Sequence, residues 1–285
     1  MIQSMTGYGK AIANLPNKKI TIEIKSLNSK NLDVNARIPS HYREKELEIR
    51  NKVSKALGRG KIDFGLFVEL TGEATSTTIN TEVVKEYMRQ LGEVTDGAAM
   101  DQLQMAIRLP DALKTSREDI DPEEYKTILQ AVTTALEAIN NYRSSEGADL
   151  EKDFKLRVSN ISGHLEAVKV MDPERMSAVR ERLEKAVSDL KEDVDKNRFE
   201  QELIYYLEKY DINEEVVRLQ SHLDYFIETM GGKQSNGKKL GFISQEMGRE
   251  INTIGSKSNY APMQQIVVQM KDELEKIKEQ CLNVL

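Results

Sequence analysis

The sequence predicts an α+β protein: a β-β-β-α-β module, then a mainly α-helical region with long antiparallel helices and a C-terminal helical hairpin. Three observations carry this. Residues 18–27 and 32–38 alternate apolar and polar side chains, the period of a half-buried strand. From Thr81 onward the apolar residues recur at three and four, the helical period. Between Asp211 and Asn259 two such helical stretches flank the polar, glycine-rich run 231–237, which returns the chain as an αα-hairpin.

The elements follow in order. Ser4-Met5-Thr6-Gly7-Tyr8-Gly9 opens a strand whose glycines mark a bulge or a close backbone approach. Lys18 to Leu27 places Ile20, Ile22 and Ile24 inward and Lys19, Thr21, Glu23 and Lys25 outward. After a turn at 28–31, Leu32 to Ile38 alternates again. An antiparallel pairing of these two strands brings Lys25, Lys30 and Arg37 near one another. Tyr42 to Leu57 reads as a helix with Leu47, Val53 and Leu57 inward, stopped by Gly58. Arg59-Gly60-Lys61 leads into a strand over 62–70.

Helices are expected over 82–91 and 100–109, with a connecting loop over 110–121. Pro122 opens a further helix, in the first-turn position proline favours. It continues to Met171 through Leu150, Phe154, Val158, Ile161, Leu165 and Val168, and Asp172-Pro173 divides it from the stretch 174–209. The hairpin arms carry Ile212, Val216, Leu219, Leu223, Phe226 and Met230, then Leu240, Ile243, Met247, Ile251 and Ile254. A last helix follows Pro262, with Cys281 on its apolar stripe as a small hydrophobe. Three regions result: 1–80, basic and a candidate nucleic-acid-binding module; 81–210, helical, suited to oligomerisation or gating; and 211–285, the candidate catalytic region.

Composition narrows the function classes. Charged residues make up 31% of the chain, aromatics only 6%, and there is no Trp, as in a helix-rich protein with a large solvated surface. No run of about 18 apolar residues occurs, so no membrane span is expected. With no secretory signal pattern the expected location is cytoplasmic, and the single Cys281 excludes an internal disulfide or a cysteine-based metal knuckle. The net charge of −6 conceals an asymmetry: residues 1–62 hold 13 Lys or Arg against five acids, so that segment is +8 and the remainder −14. A basic end on an acidic chain suits a polyanion held on one surface. Its bland counterpart is an ordinary solvated face.

The chemistry-bearing residues gather on the hairpin. Glu215, Arg218 and His222 share a flank of the first arm, and Glu246 and Glu250, four apart, share a flank of the second. A symmetric hairpin sets His222 level with Glu246 and Arg218 level with Glu250. His222, Glu246 and Glu250 could then hold a divalent metal, with Arg249 and Lys257 on a scissile phosphate. A hard cation would polarise the phosphoryl oxygen and activate a bound water. The alternative is an ion-pair network in which Glu250 meets Arg218 or Arg249. There is no HExxH, GxSxG, Walker loop or Rossmann glycine pattern after a strand.

The chain resembles the YicC/YloC family of bacterial endoribonucleases along essentially its whole length. The resemblance is carried by residues 4–10 (SMTGYGK), 25–33 (KSLNSKNLD), 59–61 (RGK), 211–215 (DINEE), 218–223 (RLQSHL), 245–257 (QEMGREINTIGSK) and 264–267 (QQIV). It departs from that pattern at Ser29, where a His is common, and at Gly248, where Asn is usual. The resemblance implies divalent-metal-dependent cleavage of RNA in a ring-like homo-oligomer, commonly a hexamer, that opens to admit substrate; two carboxylates and one imidazole suit Mn²⁺ or Mg²⁺. RNA backbone contacts are expected from Lys25, Lys30, Arg37, Arg59, Lys61 and Lys257, and other RNA-decay proteins are possible partners. Two further classes compete: an RNA-binding adaptor that recruits another ribonuclease, and a helical scaffold.

Overall fold

The computed structural model describes residues 2–71, 78–114, 120–189, 196–232 and 235–285. It is an α+β protein of two compact units interleaved in sequence, whereas the three regions above are consecutive. One unit comprises residues 1–7, 27–30 and 141–285, the other 8–26 and 31–140.

The unit of residues 8–140 is built on a four-stranded sheet. Its strands are β1 (Gly7–Leu15), β2 (Lys18–Leu27), β3 (Leu32–Arg37) and β4 (Gly60–Leu70), in the order β1-β2-β4-β3. A 3₁₀ turn (Ser40–Lys45) and α1 (Glu46–Leu57) connect β3 to β4, which pair in parallel from Leu32 opposite Gly60 to Arg37 opposite Gly65. The antiparallel β2–β3 pair expected from the sequence is therefore replaced: β4 lies between them. A helix of 12 residues between two strands is the crossover that parallel pairing requires.

One sheet face is dry. Ile20, Ile22, Ile24, Ile62, Phe64 and Leu66 pack on Ile49, Val53 and Leu57 of α1 and on Ile128, Val132, Leu136 and Ile139 of α4 (Pro122–Asp189). Leu47, expected inward, is 71% exposed, and Ile49 takes the core position instead. Gly9 permits the close fit of β1 on α4: a Cβ there would drive into the carbonyl oxygen of Ala135 and stand 3.0 Å from the amide nitrogen of Ile139. Two short strands, β5 (Thr78–Ile79) and β6 (Leu113–Lys114), pair antiparallel beside α2 (Thr81–Val94) and α3 (Ala99–Ala106). The expected loop over 110–121 thus contains a strand.

Helix α4 runs from Pro122 to Asp189, giving residues 122–140 to one unit and 141–189 to the other. Pro173 lies inside it, so the division expected at Asp172-Pro173 does not occur. Proline removes one N–H and crowds one earlier carbonyl. Here the following turn is held by Arg175, which is 1% exposed. Its guanidinium donates to Asp172 Oδ1 at 2.6 Å, to the Tyr210 carbonyl at 2.8 Å and to the Lys257 carbonyl at 3.1 Å.

The second unit packs α6 (Asn213–Met230), α7 (Gly237–Lys257) and α8 (Ala261–Cys281) against α4, with α5 (Lys196–Tyr210) preceding them. Every apolar residue expected on the two hairpin arms is in that core. Burial pushes the Cys281 thiol up to about 12, as suits a packed hydrophobe rather than a nucleophile.

Both extremities of the chain close this unit. Ser4 bridges Val284, the Met5 amide donates to the Asn283 carbonyl, and the Leu285 amide donates to the Gln3 carbonyl. The Gly237 amide donates to Leu285, and no Cβ fits at Gly237 or at Gly147, which lie against Val284 and Ile2.

Glu273 of α8 ties back to α4. It accepts from Arg157 at 3.2 Å and Asn160 at 3.1 Å, and from Lys276 of its own helix at 2.8 Å. Those bonds, Lys276 first, hold its carboxyl down at about 2, against an ordinary value of 4.5. A depressed folded-state pKa gives stability that is present above pH 4.5 and lost as pH falls toward 2. Glu273→Gln is expected to flatten the stability-versus-pH curve across that window, measured by urea unfolding at successive pH values. An unchanged slope would contradict the assignment.

Candidate functional site

The hairpin lays α6 and α7 side by side, and Lys257 of α7's last turn reaches Glu215 of α6's first turn at 2.8 Å. Sequence reasoning placed Glu215 on this flank but gave it no role. The signal was present: it is an acid one turn before Leu219, at the edge of an otherwise apolar stripe. It is 5% exposed, and its second oxygen has no hydrogen-bond partner among the described residues. Lys257, expected on phosphate, is engaged here by a buried carboxylate.

His222, Glu246 and Glu250 are all half-buried. Glu246 gives both oxygens to Arg249 Nη1, at 2.8 and 2.9 Å. Glu250 and His222 form no hydrogen bond or ion pair among the described residues. Arg218 pairs with Glu214 on its own helix, so the alternative Arg218–Glu250 bridge across the hairpin is absent too. Among the described residues no three of His, Cys, Asp and Glu are gathered so as to hold a metal ion. The hairpin therefore carries two carboxylates one turn apart and an imidazole, without a ready-made three-ligand set in one chain. Gly248, between the carboxylates, lies against α8: a Cβ there would come 3.2 Å from Leu274 Cδ2.

The basic N-terminal residues divide. Lys25, Arg37 and Lys61 are exposed on the sheet, and Arg59 is half-buried just before β4. Lys30, also exposed, belongs to the other unit. Lys25 and Arg37, on non-adjacent strands, line one cavity of about 160 Å³ with Glu23, Asp63, Gly65 and Phe67. Lys10 donates to Glu23 at 3.0 Å and holds that carboxyl below its usual range. Asn35 donates to Asp63 at 3.0 Å. Phe67 did not figure in the sequence reading, although the alternation of 62–68 sets it on the outward face.

No helix among the described residues is long and apolar enough to cross a membrane. Comparison with known proteins gives a consistent result across the chain. A family model described as endoribonuclease YicC-like, N-terminal region, matches residues 2–152, and its C-terminal counterpart matches residues 168–285. A probable endoribonuclease YicC of Clostridioides difficile (strain 630) is 33% identical over 292 aligned residues, covering all of both chains. A probable endoribonuclease YicC of Haemophilus influenzae is 28% identical over 287, again covering all of both.

Proposed function

Because the chain belongs over its whole length to the YicC-like endoribonuclease family, we propose that it is an endoribonuclease, cutting RNA phosphodiester bonds within the strand. The observation that carries this is the end-to-end relation to two proteins each called a probable endoribonuclease. The exposed cations of the sheet support it, since Lys and Arg neutralise phosphate and position a strand without reading its sequence.

The finer parts of the proposal are a requirement for Mn²⁺ or Mg²⁺ and assembly into a hexameric ring. In one chain His222, Glu246 and Glu250 do not fit a preformed metal centre, because Glu246 is occupied by Arg249 and no third ligand joins them. Completion would have to come from RNA oxygens or a second copy. What the chain itself supplies is a pair of carboxylates one turn apart and Arg249, a cation able to move from Glu246 to a phosphoryl oxygen.

The test is incubation of labelled single-stranded RNA with the purified chain and Mn²⁺ or Mg²⁺, with and without EDTA. Internal cuts that EDTA abolishes are expected. RNA bound but intact would favour the adaptor, and no salt-dependent binding would favour the scaffold. Glu246→Gln and Glu250→Gln keep shape and remove charge. Each is expected to slow cleavage about a hundredfold, the scale for losing one carboxylate that handles a proton in the reaction, with RNA binding near normal. Wild-type rates in both variants would make the hairpin purely structural.

A further inference from the structure

The sheet of the first unit has one face packed and one bare. On the bare face β1 presents Tyr8, Lys10 and Ile12, and β4 presents Lys61, Asp63 and Phe67. Tyr8 is 42% exposed and Phe67 47%. The Phe67 ring folds back along its own strand and lies over Gly65: a Cβ at 65 would stand 2.6 Å from a ring carbon. Glycine thus provides a flat floor that fixes the ring against the sheet and leaves its other side to solvent. Arg37, paired in register with Gly65, borders this floor on one side, and Lys25 borders the same cavity. Neither Lys25 nor Arg37 forms an ion pair among the described residues. The Lys25 ammonium stands 5.7 Å from the centre of the Tyr8 ring, a cation–π distance. A solvent-facing aromatic ring fixed against the sheet, between two cations that form no ion pair among the described residues, has no use in the packing of this unit.

We propose that this bare sheet face binds single-stranded RNA, one unpaired base stacking on Phe67 and its flanking phosphates lying against Lys25 and Arg37. The inference rests on the endoribonuclease reading and adds to it the state of the RNA and the stacking residue. Each part of the geometry corresponds to one part of a nucleotide. The ring offers a π-face to any base, the cations meet the phosphates, and Glu23 and Asp63 stand where exocyclic amines can donate. A base inside a duplex has both faces covered by its neighbours and cannot stack on Phe67. Discrimination between single and double strands follows, with little dependence on sequence.

The experiment uses the full chain in EDTA, so that binding is read without cleavage. Fluorescence anisotropy compares labelled oligouridylate with the same strand annealed to oligoadenylate. The wild type is expected to prefer the single strand. Phe67→Leu keeps apolar bulk at an exposed position and is expected to fold normally. It should weaken single-strand binding about tenfold, the scale of one lost base–aromatic stack, and leave duplex binding unchanged. Lys25→Ala should weaken both and lower the log–log salt slope by roughly 0.7 for the single strand. An unchanged single-to-double-strand ratio in Phe67→Leu overturns the stacking site while leaving the endoribonuclease reading intact. A wild type that binds neither RNA overturns both. If Phe67→Leu alters the oligomeric mass in sedimentation and not the RNA affinities, the face joins copies of the chain and the proposal is overturned.

Discussion

Gly9→Val is expected to cost the unit of residues 8–140 about 3 kcal/mol or more, beyond the usual scale for forcing methyl groups into a packed core. The reason is what the new side chain would strike. The Ala135 carbonyl and the Ile139 amide are helix backbone, and backbone cannot swing aside as a long side chain can. Relief requires α4 to lift from the sheet, which withdraws Val132, Leu136 and Ile139 from the core they share with Ile20, Ile22 and Ile24. At about 4 °C per kcal/mol for a domain of this size, the thermal midpoint should fall by roughly 12 °C. Gly9→Ala, with a single methyl, should show a smaller fall in the same direction. Circular dichroism melting checks both, and an Ala variant as stable as the wild type would mean that β1 and α4 are not in the contact described.

Lys257→Met is expected to destabilise the hairpin unit by about 3 kcal/mol, because it leaves the Glu215 carboxylate buried with no cation and no second partner. The double change Lys257→Met with Glu215→Leu should recover most of that loss, since apolar replacements of a buried pair are commonly neutral or better. A double-mutant cycle by chemical denaturation measures the coupling directly. The double variant also separates two roles for Lys257. If it holds RNA phosphate, the repaired variant binds RNA with a salt slope lowered by roughly 0.7; if it only neutralises Glu215, the slope is that of the wild type. Additivity of the two single changes would dismiss the pairing altogether.

Periodicity made the helical unit legible. Each apolar residue read at steps of three and four on the hairpin arms is buried, because a helix's inner face is a local property of its own sequence. Strand faces were legible for the same reason, from Ile20 to Ile24. Strand neighbours were not. The four residues 28–31 look like a hairpin turn, yet Asn28 donates to the Leu282 carbonyl at 2.6 Å, a partner that no local pattern announces.

The metal-site expectation met the same boundary. A helical wheel fixes the flank on which His222 or Glu250 lies, but not the rotation of one helix against the other. Two flanks can be adjacent in sequence logic and still not bring three ligands together. Glu215 and Lys257 show the converse, a contact between helices visible only once both were placed. Pro173 was read from its intrinsic helix-breaking character, and Arg175, binding three backbone or carboxylate oxygens around it, outweighs that character.

The bridge between Ser4 and Val284 has a consequence for the order in which the chain can fold. Everything that the residue 8–140 unit needs lies within one continuous span apart from a short excursion, so its contacts can form while later residues are still being made. The other unit contains the most distant pairings in the molecule, and loop closure on that scale is slow. The segment holding Ile2 and Met5, destined for full burial, is made long before its partners near Val284 and is satisfied last. For that interval an apolar segment without its strand partner is available to any passing edge, a hazard of nascent chains with high contact order. The +8 charge of the neighbouring residues then has a second benefit, since like-charged nascent chains repel one another while that segment waits.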